Sequence, residues 1–120
     1  MQQRYRGRFA PSPTGPLHLG NLRTALLSWL ITRLQGGEWL LRIDDLDTPR
    51  NRPGAEASIL ADLAWLGLRW DGPLIRQSER RGLYATVLSS LRRSGALYPC
   101  RCSRRLLADV SAPHGRSPVY

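Results

Sequence analysis

The chain has 120 residues, 42% of them hydrophobic and 22% charged, proportions that fit one globular domain and exclude collagen-like repeats and long disorder. Eighteen basic residues stand against nine acidic ones, a formal net charge of +9, which points to an anionic partner such as nucleic acid or a nucleotide. All eighteen are arginine, so no lysine is present to ligate phosphate or to form a Schiff base.

The first six residues, Met1-Gln-Gln-Arg-Tyr-Arg6, carry no apolar signal core, and no apolar run reaches the ~20 residues of a membrane helix. Cys100 and Cys102 are one residue apart, a spacing that strains a disulfide and cannot staple a chain of this length. A reducing, cytoplasmic compartment and no membrane partner are the natural expectation.

Residues 5–9 read as a short strand. The stretch Ala10-Pro-Ser-Pro-Thr-Gly-Pro16 forbids regular structure through its prolines and glycine. From Asn21 the pattern turns helical, with Leu22, Ala25, Leu26, Trp29, Leu30 and Leu34 on one face and Leu27 and Ile31 on a second apolar stripe, until Gly36-Gly37 ends it. Residues 38–43 form a short apolar run that predicts a strand buried on both faces. Strand, crossover helix and strand make a βαβ unit with parallel strands and a right-handed crossover. A second helix is expected from about Pro53 to Gly67, with Ile59, Leu60, Leu63 and Leu66 inward. Leu74–Gln77 suits another strand. A third helix runs from about Ser78, its N-cap, to Ser94, with Tyr84, Val87, Leu88 and Leu91 inward. A short helical stretch near 104–109 follows. The fold class is α/β.

In an open parallel sheet, ligands bind outside the carboxyl ends of the strands. Two segments fall there. The loop from Ala10 to Gly20 offers close backbone approach at Gly15 and Gly20, the Thr14 hydroxyl, the His18 ring and the free N–H groups of a helix start, a natural phosphate site. The same loop also reads as a proline-stiffened connection with His18 on the surface. The second segment, Asp44-Asp45-Leu46-Asp47, can hold an ammonium, hold Mg²⁺ or cap the next turn. Arg8, at the end of the first strand, faces these acids. Such a pair would bind a zwitterion, or form a plain salt bridge. Cys100 and Cys102 are half of a tetrahedral zinc site or two free thiols, with His114 and Tyr120 the only later side chains of suitable type. Arginines 92, 93, 101, 104 and 105 cluster nearby, as a solvated surface or an RNA backbone contact.

Arg8-Phe-Ala-Pro-Ser-Pro-Thr-Gly-Pro-Leu-His-Leu-Gly-Asn-Leu-Arg-Thr-Ala-Leu26 closely resembles the opening of the glutamyl-type class I aminoacyl-tRNA synthetases, with His18-Leu-Gly-Asn21 in the place of their "HIGH" signature. Leu41-Arg-Ile-Asp-Asp-Leu-Asp47, Trp65-Leu-Gly-Leu-Arg-Trp-Asp71, Gln77-Ser-Glu-Arg80 and Tyr98-Pro-Cys-Arg-Cys102 follow in the family's order. Asp47-Thr-Pro-Arg50, Pro53-Gly-Ala55 and Trp70-Asp-Gly-Pro73 are similar to its glutamyl-queuosine tRNA(Asp) branch. The resemblance implies the first half of a Rossmann-type parallel sheet with flanking helices over residues 1–97, and the beginning of a zinc-binding insertion over residues 98–120.

The resemblance further implies ligase chemistry: ATP-dependent activation of L-glutamate and its transfer to the queuosine base of tRNA(Asp). Arg8, Phe9, Ala10, Pro11 and Ser12 would line the glutamate pocket, with Arg8 on the side-chain carboxylate and Asp44 at the α-amino group. Thr14, His18, Gly20 and Asn21 would surround ATP and its Mg²⁺, with His18 and Asn21 at the reacting phosphate. Cys100, Cys102 and Tyr120 match three of four ligands for one zinc ion, the fourth lying after Tyr120. A monomer is expected. Position 44 is aspartate where the family commonly has glutamate, and the lysine-bearing KMSKS loop is absent from this sequence. Three alternatives stand beside this reading: a glutamyl-tRNA synthetase fragment charging tRNA(Glu), a non-catalytic arginine-rich RNA- or nucleotide-binding remnant, and a Mg²⁺-dependent sugar-nucleotide enzyme using Asp45 and Asp47.

Overall fold

The structure is a computed structural model and describes residues 4–102. Its elements are β1 (Arg6–Phe9), α1 (Leu19–Leu34), β2 (Glu38–Ile43), α2 (Ala55–Trp65), β3 (Ile75–Arg76) and α3 (Arg81–Arg93), with single 3-10 turns at Thr48–Arg50 and Ser78–Arg80. The chain divides into two compact units, Met1–Tyr84 and Ala85–Tyr120. The stretch near 104–109 and Tyr120 lie outside the described residues.

In the first unit the three strands are parallel, in the order β1-β2-β3, with Phe9 opposite Leu41 and Arg42 opposite Ile75. The α/β fold with parallel strands joined through helices is therefore the one the periodicity predicts. Trp39, Leu41 and Ile43 on alternate positions of β2 are fully buried, as strand geometry requires of one sheet face. Leu40 and Arg42, on the other face, are only half-buried, so the expectation of complete burial on both faces holds for one. Phe9 stacks on Trp39 at a ring separation of 6.1 Å. Ala25 of α1 and Ile59 and Leu63 of α2 join this same core, together with Leu68.

The contact face of α1 differs from the one its leucines suggest. The fully buried residues are Ala25 and Thr32, while Leu26, Leu27, Leu30, Ile31 and Leu34 are exposed. The cause is close packing. Gly7 of β1 lies under Thr32, whose Oγ1 donates to the Ser28 carbonyl at 2.7 Å, and the Ser28 hydroxyl accepts from Trp39 Nε1 at 2.9 Å. Small, locally satisfied side chains let the helix approach the sheet, and larger ones are turned away.

All three helices end alike. Gly36, Gly67 and Gly95 adopt positive φ, and each is followed by the crossed pair of hydrogen bonds of a Schellman stop, such as Gly67 N to Ala64 O and Leu68 N to Leu63 O. At α2 the stop also delivers Leu68 into the core beside Leu63. The start of β2 is fastened by Asp71, whose carboxylate accepts from Trp39 N at 2.8 Å and Arg33 Nη1 at 2.6 Å, while its own N–H donates to Trp39 O. The Arg33 guanidinium, then the Trp39 N–H, hold this carboxyl below its ordinary value.

In the second unit, the described part of α3 carries Val87, Leu88 and Leu91 at 41–57% exposure. The periodicity assigned these side chains inward; among the described residues no layer covers them. Nor does Ser78 cap α3. It opens a 3-10 turn, and its polar groups are engaged by Asp45.

Gly7→Ala tests the close contact. A Cβ there would lie 1.9 Å from Thr32 Oγ1, a short buried side chain that cannot swing aside. The substitution should destabilise the chain by about 1–3 kcal/mol in urea unfolding, and adding Thr32→Ala should recover part of that loss.

Candidate active site

The loop between β1 and α1 continues the alternation of the strand although prolines deny it a ladder. Arg8, Ser12 and Thr14 are exposed and Ala10 half-buried, whereas Phe9, Pro11 and Pro13 between them are buried. Proline lacks an N–H but keeps its carbonyl, and both carbonyls are used. Pro11 O accepts from Asp44 N and Pro13 O from Arg52 N, each at 2.9 Å. The loop is thus pinned to the chain that leaves β2, and its other side faces an open cavity of about 540 Å³. Arg8, Ala10, Ser12, Thr14, His18 and Asn21 line it, as do Gly15 and Thr24.

His18 is the N-cap of α1, which begins two residues earlier than its apolar periodicity suggests. Its backbone is extended, and its Nδ1 accepts from Gly20 N at 3.1 Å and Asn21 N at 3.3 Å. Asn21 Oδ1 reciprocally accepts from His18 N at 3.3 Å, closing a capping box. The expectation of free N–H groups at this helix start holds only for Leu19, whose N–H enters no described hydrogen bond; those of His18, Gly20 and Asn21 are taken up inside the cap. Histidine is an uncommon cap, so neither helix propensity nor apolar spacing signals it.

The three acids after β2 separate by role. Asp45 accepts from Ser78 N at 2.8 Å and from the Ser78 hydroxyl, and its backbone carbonyl accepts from Asn51 Nδ2 at 2.9 Å. Asp47 pairs with Arg50 at 2.5 Å. The expectation that these acids cap the next turn is corrected: Asp47 precedes the Thr48–Arg50 turn without a side-chain cap bond, and Asp45 instead holds Ser78 across the sheet. The acid pair required by the sugar-nucleotide alternative is already engaged by protein partners. Asp44 is half-buried at the strand end, its N–H on Pro11, and its carboxylate enters no described hydrogen bond or ion pair. Arg8 likewise forms no ion pair with any of the three acids among the described residues, against the salt-bridge reading. Among the described residues Arg8 and Asp44 are both left without an ion pair at the carboxyl ends of adjacent parallel strands, as is Arg42 of β2, whose Nε is buried without a partner.

Not every candidate falls in the cavity. Phe9 and Pro11 border it but are buried, with the Phe9 ring on Trp39. Asp44 and Gly20 stand beside it without lining it, Gly20 beneath the His18 ring. Cys100 and Cys102 are exposed in the second unit. The Cys102 thiol is raised above its usual value by its hydrogen bond with Cys100 and by the charge Cys100 would carry. No group of three metal-ligating side chains occurs among the described residues. Sequence reasoning missed Thr24, whose hydroxyl donates to Gly20 O at 3.0 Å one turn into α1, and the Ser78 and Asn51 supports of Asp45. The i to i+4 step from Gly20 to Thr24 was the available signal for the first. The others depend on contacts across more distant sequence.

The parallel sheet and its first crossover helix, which starts on a His-x-Gly-Asn cap beside an open cavity, have the fold of a class I synthetase catalytic domain. Residues 4–112 match the family described as tRNA synthetases class I (E and Q), catalytic domain, and the chain belongs to it. Within that family it is 71% identical over 118 residues to a glutamyl-Q tRNA(Asp) synthetase of Prochlorococcus marinus (strain MIT 9303), spanning 98% of this chain and 39% of the relative. It is 74% identical over 116 residues to the protein of that name from Synechococcus sp. (strain CC9605), spanning 97% and 37%. A glutamate tRNA ligase from Elizabethkingia meningosepticum CCUG26117, solved in complex with its amino acid, superposes at a TM-score of 0.73 with 45% identity, over 76% of this chain and 20% of that one. The chain thus spans about two-fifths of the length of the curated relatives it matches. No helix among the described residues is long and apolar enough to cross a membrane.

The Asp45–Ser78 contact gives this site a pH signature. Burial opposes ionisation of Asp45, but the Ser78 hydroxyl and N–H outweigh it and hold the carboxyl below its ordinary 3.8. A lowered carboxyl contributes stability above its unfolded value and loses it as pH falls through the folded one. Ser78→Ala should therefore cost about 1 kcal/mol near neutrality, allowing for solvent screening. Urea unfolding of both proteins should show that deficit shrinking as the pH is taken to about 3.

Proposed function

We propose that this chain is the glutamate- and ATP-binding part of a glutamyl-Q tRNA(Asp) synthetase, which activates L-glutamate and transfers it to the queuosine base of tRNA(Asp). The observation that carries the reading is the uncommitted pair Arg8 and Asp44 at neighbouring strand ends, beside a cavity walled by the His18 helix cap. A guanidinium suits the side-chain carboxylate of glutamate and an aspartate its ammonium. Asp44 is one methylene shorter than the family's usual glutamate, so its contact with the ammonium would be longer or run through a water.

The chemistry needs no protein nucleophile. The α-carboxylate oxygen of glutamate attacks the α-phosphorus of ATP, the bond to the bridging oxygen of pyrophosphate breaks, and glutamyl-adenylate remains. The protein aligns the two reactants and meets the charge growing on the phosphoryl oxygens. His18 is placed for the second task at the cavity wall. Thr14 and Ser12 offer hydroxyls along the same side, and Mg²⁺ arrives with ATP.

The branch is supported by degree of similarity: 71% and 74% identity to the two glutamyl-Q tRNA(Asp) synthetases, against 45% to the glutamate tRNA ligase. Cys100 and Cys102, one residue apart and both exposed free thiols, suit one half of a tetrahedral zinc site. Tyr120 and one further ligand would complete it, and the metal's contribution would be to hold the insertion together.

The full-length protein carrying this chain should catalyse glutamate-dependent ATP–pyrophosphate exchange without tRNA and glutamylate queuosine-bearing tRNA(Asp), with one bound zinc ion by metal analysis. Charging of tRNA(Glu) at its 3′ end would contradict the branch, and absence of exchange would favour a non-catalytic binding remnant.

A further inference from the structure

His18 and Asn21 hold each other in a reciprocal arrangement whose consequence is chemical as well as structural. Two N–H donors, from Gly20 and Asn21, converge on His18 Nδ1 at 3.1 and 3.3 Å. A ring nitrogen that accepts hydrogen bonds carries no proton, so the neutral imidazole bears its proton on Nε2. The capped ring is therefore a donor at one nitrogen only, the one not engaged by the helix. Asn21 Oδ1 meanwhile accepts from His18 N at 3.3 Å, fixing the backbone from which the ring projects. Gly20 supplies the space: a Cβ there would stand 2.9 Å from His18 Cε1 and 3.1 Å from Nδ1.

We infer that Asn21 is a positioning residue: its side chain fixes the His18 backbone so that the main-chain N–H groups of Gly20 and Asn21 stay on Nδ1, which holds His18 in the Nε2–H tautomer and presents a single ring N–H to the phosphate of a nucleotide. This rests on the proposed glutamate-activating function for its substrate, but the tautomer itself does not. It separates the roles of the two signature residues. Asn21 acts on His18, and His18 acts on the phosphate. It also sets aside the simpler arrangement in which the Gly20 and Asn21 N–H groups bind phosphate directly, since those two could do so only if the ring were displaced.

The test is the imidazole ¹⁵N shifts of the full-length protein carrying this chain, with His18 assigned by the signals lost in His18→Gln. The parent should show His18 protonated at Nε2 and bare at Nδ1, both alone and with a non-hydrolysable ATP analogue. Asn21→Ala should mix the tautomers and lower kcat for glutamate-dependent pyrophosphate exchange by roughly ten- to a hundredfold, with the glutamate KM little changed. Asn21→Gln keeps an acceptor at the third helical position and should restore both readouts. Gly20→Ala should move the ring signals in the same sense as Asn21→Ala, and it carries the test should that variant fail to fold. A parent ring protonated at Nδ1, a tautomer that changes when the ATP analogue binds, or an Asn21→Ala variant that loses activity with its tautomer intact would each overturn the inference. A parent with the Nε2–H tautomer but no exchange activity contradicts the proposed function, while the tautomer measurements still decide the role of Asn21.

Discussion

Two main-chain hydrogen bonds set the geometry on which the site depends: Asp44 N to Pro11 O and Arg52 N to Pro13 O. The segment after β1 cannot join a sheet as a regular strand, because two of its residues have no N–H to donate. It keeps the extended alternation because each proline carbonyl finds a donor in the chain leaving β2. Pro11 and Pro13 are thereby buried, and Ser12 between them and Thr14 after them face out toward the cavity. The same bonds place the Asp44 backbone against the loop that follows β1, two residues beyond Arg8. Without them the two uncommitted charges would stand at the ends of strands whose loops were free to separate.

The division of labour among the acids follows from the same economy of partners. Asp45 is held by Ser78 and its carbonyl by Asn51; Asp47 is held by Arg50. These contacts fix the loop on both sides of Leu46 and leave the Asp44 carboxylate without a protein donor. Burial of an unpaired charge is unfavourable, and half-burial at a strand end bordering solvent moderates that cost. Asp71 performs the comparable task at the other end of β2, where Trp39 N and Arg33 converge on one carboxylate oxygen. Both ends of the central strand are thus fixed by aspartates that do no chemistry, while the one that follows the strand directly stays available.

Much of this was legible in the sequence, and the exceptions have physical causes. The strand at β2, the glycine stops after Leu34 and Leu66, and the proline loop all rest on local rules, and the structure obeys them, although β2 is fully buried on one face only. The packing face of α1 was not legible, because Ala25, Ser28 and Thr32 bury themselves through closeness to Gly7 and Trp39 rather than through hydrophobicity. The inward face assigned to α3 rested on an amphipathic pattern whose covering layer is absent among the described residues. The histidine cap was hidden because position 18 reads as a loop residue until the ring is seen over the first turn. The pairing of Asp45 with Ser78 joins residues 33 apart, a separation at which periodicity carries no information. Family resemblance located the site, and only the structure divided its residues into those that face the cavity and those that hold them there.

The account stands on Arg8 and Asp44 reading opposite ends of one zwitterion. Isothermal titration of the full-length protein carrying this chain with L-glutamate, L-glutamine and glutarate tests this directly. Glutamine lacks the side-chain charge and glutarate lacks the ammonium. The account predicts measurable binding of L-glutamate and roughly tenfold or weaker binding of each analogue, since each leaves one charged partner unmatched. Arg8→Gln should abolish discrimination against glutamine, and Asp44→Asn discrimination against glutarate. Equal binding of all three compounds, or discrimination that survives both substitutions, would contradict it.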